Sequence, residues 1–397
     1  MTVRRTKILM TSFFSVKLIK APNIYGRGNA PPEIISKPGT QNHNMRTGTV
    51  DLPLHSGRCP PWLFQRMRPL SREISRIIID NHGTGEFLRR LSDPMFFQAV
   101  GCVLGFDWHS SGLTTTTCGA LKEAGLIDFG IAVAGGKGRR SKETLGEIGI
   151  LSGKMGLDAG KLEKASTLSA KVDSSCIQAG YDLYHHSFLF DEKGNWAVIQ
   201  QGLNDSNGYA RRYHWFNSEV FVDSPPLDIA GRAEPEALNL VSGESGEARK
   251  VSVDLVCDNP VHYKKYFDGQ MRLTDDFTAF PSRHEILPCD LTRRDWEVLQ
   301  DAYELQPENY EELISIRGMG RKKIRALALL AKLIHGIRLD WKDPVKYSFA
   351  HGGKDGIPYP VDRSTYENSI SFLRDIILEA KSGEKERALR KLSSLFS

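Results

Sequence analysis

The chain has 397 residues, 40% of them hydrophobic and 25% charged, which describes a soluble globular protein with room for two or three domains. No apolar run is long enough to span a bilayer, which excludes a membrane protein of the helical type and makes the expected location cytoplasmic. A net charge of +5 and a pI of about 8.7 are a mild basic excess that argues only weakly for nucleic acid unless it is concentrated locally.

Residues 1–44 stand apart. Arg4, Arg5, Lys7, Lys17, Lys20, Arg27 and Lys37 face only Glu33, and Pro, Asn and Gly crowd the second half. No helical face persists, so the segment reads as a disordered tail or an over-extended start, with ordered structure from Met45. From Pro61 the pattern turns helical: Leu63, Met67, Leu70, Ile74, Ile77 and Ile78 share one face, and Asn81 to Gly83 ends the segment. Asp93 and Pro94 form a cap-and-N1 pair opening a second helix.

Asp107-Trp108-His109 follows, with Ser110-Ser111-Gly112 behind it. In a loop, a carboxylate and an imidazole this close would serve as metal ligands or as base and orienter; the competing reading is a helix cap. A helix over 113–124 leads to an expected strand from Ile127 to Ala134. The run from Gly135 to Lys142 then joins glycines with Lys137, Arg139 and Arg140. It lacks the spacing of a P-loop and is expected to be a mobile loop touching DNA phosphate, or a solvated linker.

Helices are expected over 141–150 and 158–181. Tyr184–Phe190 and Trp196–Gln201, joined by Asp191-Glu192-Lys193-Gly194-Asn195, form the best β-hairpin in the chain. Strand geometry sends His185 and His186 to opposite faces, so at most one joins any site. The polar run Gln200, Gln201, Asn204, Arg211, Arg212 and His214 either lines a nucleic-acid channel, with Tyr209, Tyr213, Trp215 and Phe216 as stacking surfaces, or belongs to an ordinary sheet. Residues 223–250 read as an irregular connection, and 251–290 fit strand or helix about equally.

Thr292 and Asp295 begin a helix with a capping-box pattern. Glu308 to Ser315 is the next helix, with Pro307 setting its first turn; a Gly-Met-Gly turn follows, and Arg321 to His335 forms another helix stopped by Gly336. This helical hairpin carries seven Lys or Arg against three Glu between Glu308 and Arg338. Its two glycines allow φ > 0 and close backbone approach, so the amides of Met319, Gly320 and Arg321 are expected to face outward from a positive helix end. The alternative is an ordinary Gly turn with solvated lysines. Beyond it, the loop from His351 to Arg363 is expected to clamp against the helical hairpin, and Ser364 with Glu367 opens a last helical region, interrupted near Ser382-Gly383. Cys59, Cys102, Cys118, Cys176, Cys257 and Cys289 are too scattered for a zinc framework and read as intracellular thiols.

The segment Ile316-Arg317-Gly318-Met319-Gly320, with basic Arg321, Lys322, Lys323 and Arg325 behind it, resembles the helix-hairpin-helix motif, which grips DNA phosphate without reading bases. Three longer stretches run from Arg46 to His55, from Gly105 to Gly112 and from Phe349 to Arg363. With Tyr184-His185-His186 and Gln200-Gln201-Gly202, they make the chain similar to domain-of-unknown-function family 763, typical of archaea and thermophilic bacteria. That resemblance runs from Met45 to about Asn368 and implies no activity.

The expected fold is α+β and mainly helical: a mixed domain over 45–222, the connection at 223–250, and a helical domain over 251–397 with the helical hairpin at 308–336. The expected function is DNA binding through phosphate, in repair or recombination, with a repair or replication protein as a further partner. Chemistry, if present, would be a nuclease using Mg or Mn with Asp107, His109 and His185 or His186. A non-enzymatic DNA adaptor and an RNA-processing enzyme are the alternatives.

Overall fold

The structure is a computed structural model that describes residues 52–53, 59–106, 111–264, 291–346, 363–379 and 385–393. The expectations placed on residues 1–44, Asp107, His109, Cys289 and the loop after His351 lie outside the described residues. The chain divides into a unit over Met1–Asn44 and another over Met45–Ser397; only the latter contains described residues.

After a short strand β1 (Leu52–Pro53) come helices α1 (Pro61–His82), α2 (Thr84–Leu91), α3 (Pro94–Val103) and α4 (Gly112–Glu123). Asp93 caps α3 as its sequence predicts, with Oδ1 accepting from the amides of Met95 and Phe96. Strand β2 (Ile131–Lys137) begins later than expected, because Leu126–Phe129 winds into a 3₁₀ turn between the left-handed Gly125 and Gly130. A short helical turn α5 (Arg139–Lys142) leads to α6 (Thr144–Met155) and α7 (Ala159–Lys171). The expected long helix to Tyr181 stops at Lys171, where Val172–Cys176 widens into a π turn.

Short β3 (Ile177–Gln178) precedes β4 (Asp182–Asp191), β5 (Trp196–Asn204), β6 (Tyr209–Phe216), β7 (Asp228–Ala230) and β8 (Leu238–Asn239). The β4–β5 hairpin is the one the sequence predicts. Asp191 Oδ1 closes its turn by accepting from the amides of Lys193 and Asn195, both at 2.9 Å. The main sheet is antiparallel in the order β1-β6-β5-β4-β2, with β7 also on β6, while β3 pairs with β8.

Helices cover both faces of the sheet. In β2, Ile131 and Val133 join α1 to α4 on one side, and Ala132 and Ala134 join α6 and α7 on the other. A strand buried on both faces shows no polar alternation, which is why the run containing β6 read equally as a channel or as an ordinary sheet; it is a sheet strand. The channel reading of that run is thereby overturned: Arg211, Arg212, Tyr213 and Trp215 are fully buried, so none presents a stacking surface to a strand of nucleic acid.

The remaining helices are α8 (Gly246–Cys257), α9 (Pro260–Lys264), α10 (Arg293–Leu305), α11 (Tyr310–Ser315), α12 (Arg321–His335), α13 (Arg363–Glu379) and α14 (Lys385–Ser393). The described part of the ambiguous stretch, 251–264, is mainly helical: Ala248, Ser252, Val253 and Val256 are buried at helical spacing. They sit in the same core as Leu327, Ala328 and Ala331 of α12, and that core is continuous with the α7 face of the sheet. The capping box at Thr292 and Asp295 forms as expected. Leu373, Ile376 and Ile377 of α13 join the opposite core. The molecule is thus mixed α+β and mainly helical, and no helix among the described residues is long and apolar enough to cross a membrane.

Candidate functional site

Helix α11 starts at Asn309, whose Oδ1 accepts from the Glu312 amide at 3.0 Å, rather than at Pro307. Glu312 also accepts from the Glu308 amide and from the Asn309 side-chain amide, both at 2.9 Å. The turn that follows closes with the Met319 amide donating to Ile316 O at 3.0 Å. The Met319 amide therefore belongs to the turn and is not presented outward, and its side chain anchors the turn in the core. Of the two glycines only Gly318 is left-handed, at φ +87°; a Cβ there would also meet Val298 Cγ2 at 2.9 Å. Gly320, at φ −120°, is extended backbone that any residue adopts.

Lys171 Nζ of α7 donates to Ile316 O at 3.1 Å and to Met319 O at 2.8 Å, which fixes the turn. Burial lowers the pKa of that ammonium, with Lys323 adding to the effect. The amides of Gly320, Arg321 and Lys322 have no acceptor among the described residues, and no side chain caps α12. They form the positive end of a 15-residue helix beside exposed Arg317, Gly318 and Lys322.

The other basic residues are held differently. Arg321 pairs with Asp182 at the start of β4, and Lys323 is buried against Asp295. Burial alone would raise the Asp295 carboxyl. The Lys323 ammonium and the Thr292 amide and hydroxyl outweigh it, pulling that carboxyl down to about 2. Arg325 is half-buried.

The glycine-rich run ends at the same place. Gly135 to Lys137 are the last residues of β2, and Arg139 to Lys142 wind into α5, so the run is ordered structure and not a free loop. The Gly138 amide donates to Tyr184 O at 2.8 Å, Lys137 lies over the Tyr184 ring at 5.7 Å, and Arg139 and Arg140 are exposed. The helical hairpin thus touches β4 at Asp182 and the glycine-rich run touches it at Tyr184. Two basic elements border one end of one strand.

Between them lies a cleft of about 380 Å³, lined by Ser141, Lys142, Thr144, Ser166, Lys171 and His186 among others. Its floor holds a chain of hydrogen bonds. Ser166 Oγ lies 2.8 Å from His186 Nε2; His186 Nδ1 lies 2.9 Å from Gln200 Oε1; Gln200 Nε2 donates to Asp173 Oδ2 at 2.5 Å. Trp215 Nε1 donates to the same oxygen at 2.9 Å. Asp173 reaches this position because the π turn after α7 rotates it inward, where burial raises its carboxyl well above the usual range. Burial also pulls His186 down to about 4, with the Gln200 hydrogen bond opposing it in part.

As strand geometry requires, His185 turns to the other face. Its Nε2 lies 3.1 Å from Ser187 Oγ, and burial, helped by His186 and Lys137, pulls it down to about 3. On that face Arg212 stacks over Phe97 at 5.0 Å and donates to Gln98 Oε1 at 2.6 Å. The described residues therefore put His186 in the cleft; His185 also lines it but stays outside the hydrogen-bonded chain, while Lys137, Arg139 and Arg140 precede its Ser141 wall and Arg317 and Lys322 lie on or just after the turn that Lys171 holds. Among the described residues no group of three or more His, Cys, Asp or Glu could hold a metal ion.

Ser166, Lys171 and Asp173 escaped the reading of the sequence. The available signal was in α7, where Ser166 and Ser169 interrupt a buried face of Leu162, Ala165 and Leu168. Serines on an apolar stripe need partners, and a partner inside a fold is worth seeking.

A family model described as "Protein of unknown function (DUF763)" matches residues 48–361. No curated protein and no solved structure matches.

Proposed function

The chain belongs to the DUF763 family, and we propose that it binds nucleic acid, DNA foremost, by gripping backbone phosphate between the α11–α12 turn and the glycine-rich end of β2. One observation carries this reading. The amides of Gly320, Arg321 and Lys322 stand without acceptors among the described residues at the positive end of α12, beside exposed Arg317 and Lys322. Such a helix end favours an anion, and the turn works as a helix-hairpin-helix does, fixing register on the duplex without reading bases. Lys171 supports it by fixing the turn through the carbonyls of Ile316 and Met319. Exposed Arg139 and Arg140 stand next to Ser141 and Lys142 of the cleft wall. A role in repair or recombination, alongside another protein of those processes, suits a binder of this kind.

Fluorescence anisotropy with labelled duplex, single-stranded DNA and RNA tests it. Arg317→Glu with Lys322→Glu, and separately Arg139→Glu with Arg140→Glu, alter exposed side chains and leave the fold intact. Each pair is expected to weaken DNA binding about tenfold or more at low salt. Unchanged affinity in the first pair would overturn the reading; tighter binding of RNA than of either DNA would redirect it to RNA.

A further inference from the structure

Ser166 differs from Ser75, Ser252 and Ser315, which also lie inside helices. Ser75, Ser252 and Ser315 each donate back to the carbonyl four residues earlier, at 2.7, 2.6 and 2.7 Å. That is the usual resting place of a helical hydroxyl. Ser166, in the middle of α7, is instead turned to the His186 ring.

The direction of its proton follows from the far end of the chain. Trp215 Nε1 can only donate, so Asp173 Oδ2 is an acceptor there, and Gln200 meets the same oxygen with its amide nitrogen. With the Gln200 amide oriented in this way, its carbonyl oxygen faces His186 Nδ1, which then carries the ring hydrogen. Nε2 is left with a lone pair, and the Ser166 hydroxyl donates to it. This is the tautomer in which a histidine accepts a serine proton. The hydroxyl lies on the cleft floor with Lys142 in the wall, a cation suited to the charge that develops on a phosphoryl group under attack; Lys171 is in the wall too, with its ammonium bonded to the turn.

We propose that Ser166 is a histidine-activated nucleophile for phosphodiesters, with the nucleic-acid backbone as its substrate; the substrate, though not the nucleophile, rests on the binding function argued above. Ser166 Oγ attacks phosphorus, its proton passes to His186 Nε2, and the P–O bond to one sugar oxygen breaks as that oxygen takes the proton from Nε2. The product is a phosphodiester of Ser166. Water then attacks the same phosphorus, gives its proton to Nε2, and Oγ leaves and recovers a proton. Ser166 and His186 are the catalytic residues. Gln200 and Asp173 are positioning residues that fix the ring. Burial keeps His186 neutral down to about pH 4, so the base is available throughout the neutral range.

The full chain is treated with a fluorophosphonate and mapped by mass spectrometry, and its turnover of bis(p-nitrophenyl) phosphate is followed. Neither reagent needs the helical hairpin. Label on Ser166 is expected, with turnover abolished by Ser166→Ala and reduced about 10²–10⁴-fold by His186→Gln. Gln200→Glu, which sets a carboxylate against Nδ1, should move the acidic limb of the pH–rate profile to higher pH, a shift that a structural role would not produce. A folded wild-type protein without label on Ser166, or turnover that survives Ser166→Ala, overturns the proposal. Label and turnover in a protein that fails to bind any nucleic acid would leave the nucleophile standing and remove the binding function instead.

Discussion

Asp343→Ala is expected to destabilise the protein by about 3–5 kcal/mol, because it strands a charge in the core. Arg211 of β6 is fully buried and its Nη2 lies 2.5 Å from Asp343 Oδ2. The same carboxylate oxygen accepts from the Glu234 amide at 2.7 Å, and Arg211 also donates to Arg232 O at 2.7 Å. The guanidinium lies 4.2 Å from the centre of the Tyr181 ring, sealed from solvent. Asp343 lies on the segment that follows α12, which Trp341 O and the Lys346 amide also stitch to Ala237 and Ile229. This ion pair therefore fastens the chain behind the helical hairpin to the sheet. Denaturant midpoints measure the effect, and Arg211→Met with Asp343→Leu should recover most of the loss by removing both charges. A change under about 1 kcal/mol in Asp343→Ala would mean that the guanidinium finds other acceptors.

Gly135→Ala should be nearly as damaging, and its effect should reach the cleft. Gly135 sits at φ +85°, and a Cβ there would lie 2.2 Å from the His186 carbonyl oxygen and 2.6 Å from Thr144 Oγ1. The carbonyl is backbone and cannot rotate aside, so β2 and β4 must separate at the residue that bonds Ser166. The Gly135 amide and carbonyl are also held, by Glu147 Oε2 at 2.6 Å and Lys122 Nζ at 2.7 Å. Left-handed strain contributes about 1–2 kcal/mol, and displacement of the strand should bring the total to roughly 3 kcal/mol or more. A thermal melt reads the stability. Fluorophosphonate labelling of Ser166, on the proposed chemistry, should fall in the fraction that stays folded. An alanine variant as stable as wild type would show that the strand end moves freely.

These sites differ in how far the sequence announced them. Asp93-Pro94, the Thr292 capping box, the β4–β5 turn and Gly336 were legible because each depends on neighbours within a few residues. Strand β6 was legible only as one of two equal readings, since Tyr-Ala-Arg-Arg-Tyr-His-Trp-Phe lies between two layers of helices and Arg211 and Arg212 are matched by partners far away in the chain. The helical hairpin was legible as an element. Which of its cations face solvent was not, because Asp182 and Asp295, distant in sequence from Arg321 and Lys323, decide it. The Ser166 chain joins residues 166, 173, 186, 200 and 215 from a helix, a π turn and three strands, a convergence that no local spacing encodes.

The most direct measurement is the salt dependence of duplex DNA binding by the wild-type chain and by the Arg317→Glu, Lys322→Glu variant. If the helical hairpin grips phosphate, log K for the wild type falls linearly with log salt, and the variant's slope is shallower by about 0.9 for each phosphate it no longer neutralises. Equal slopes in the two proteins, or a wild-type affinity indifferent to salt, would contradict a phosphate grip at this turn.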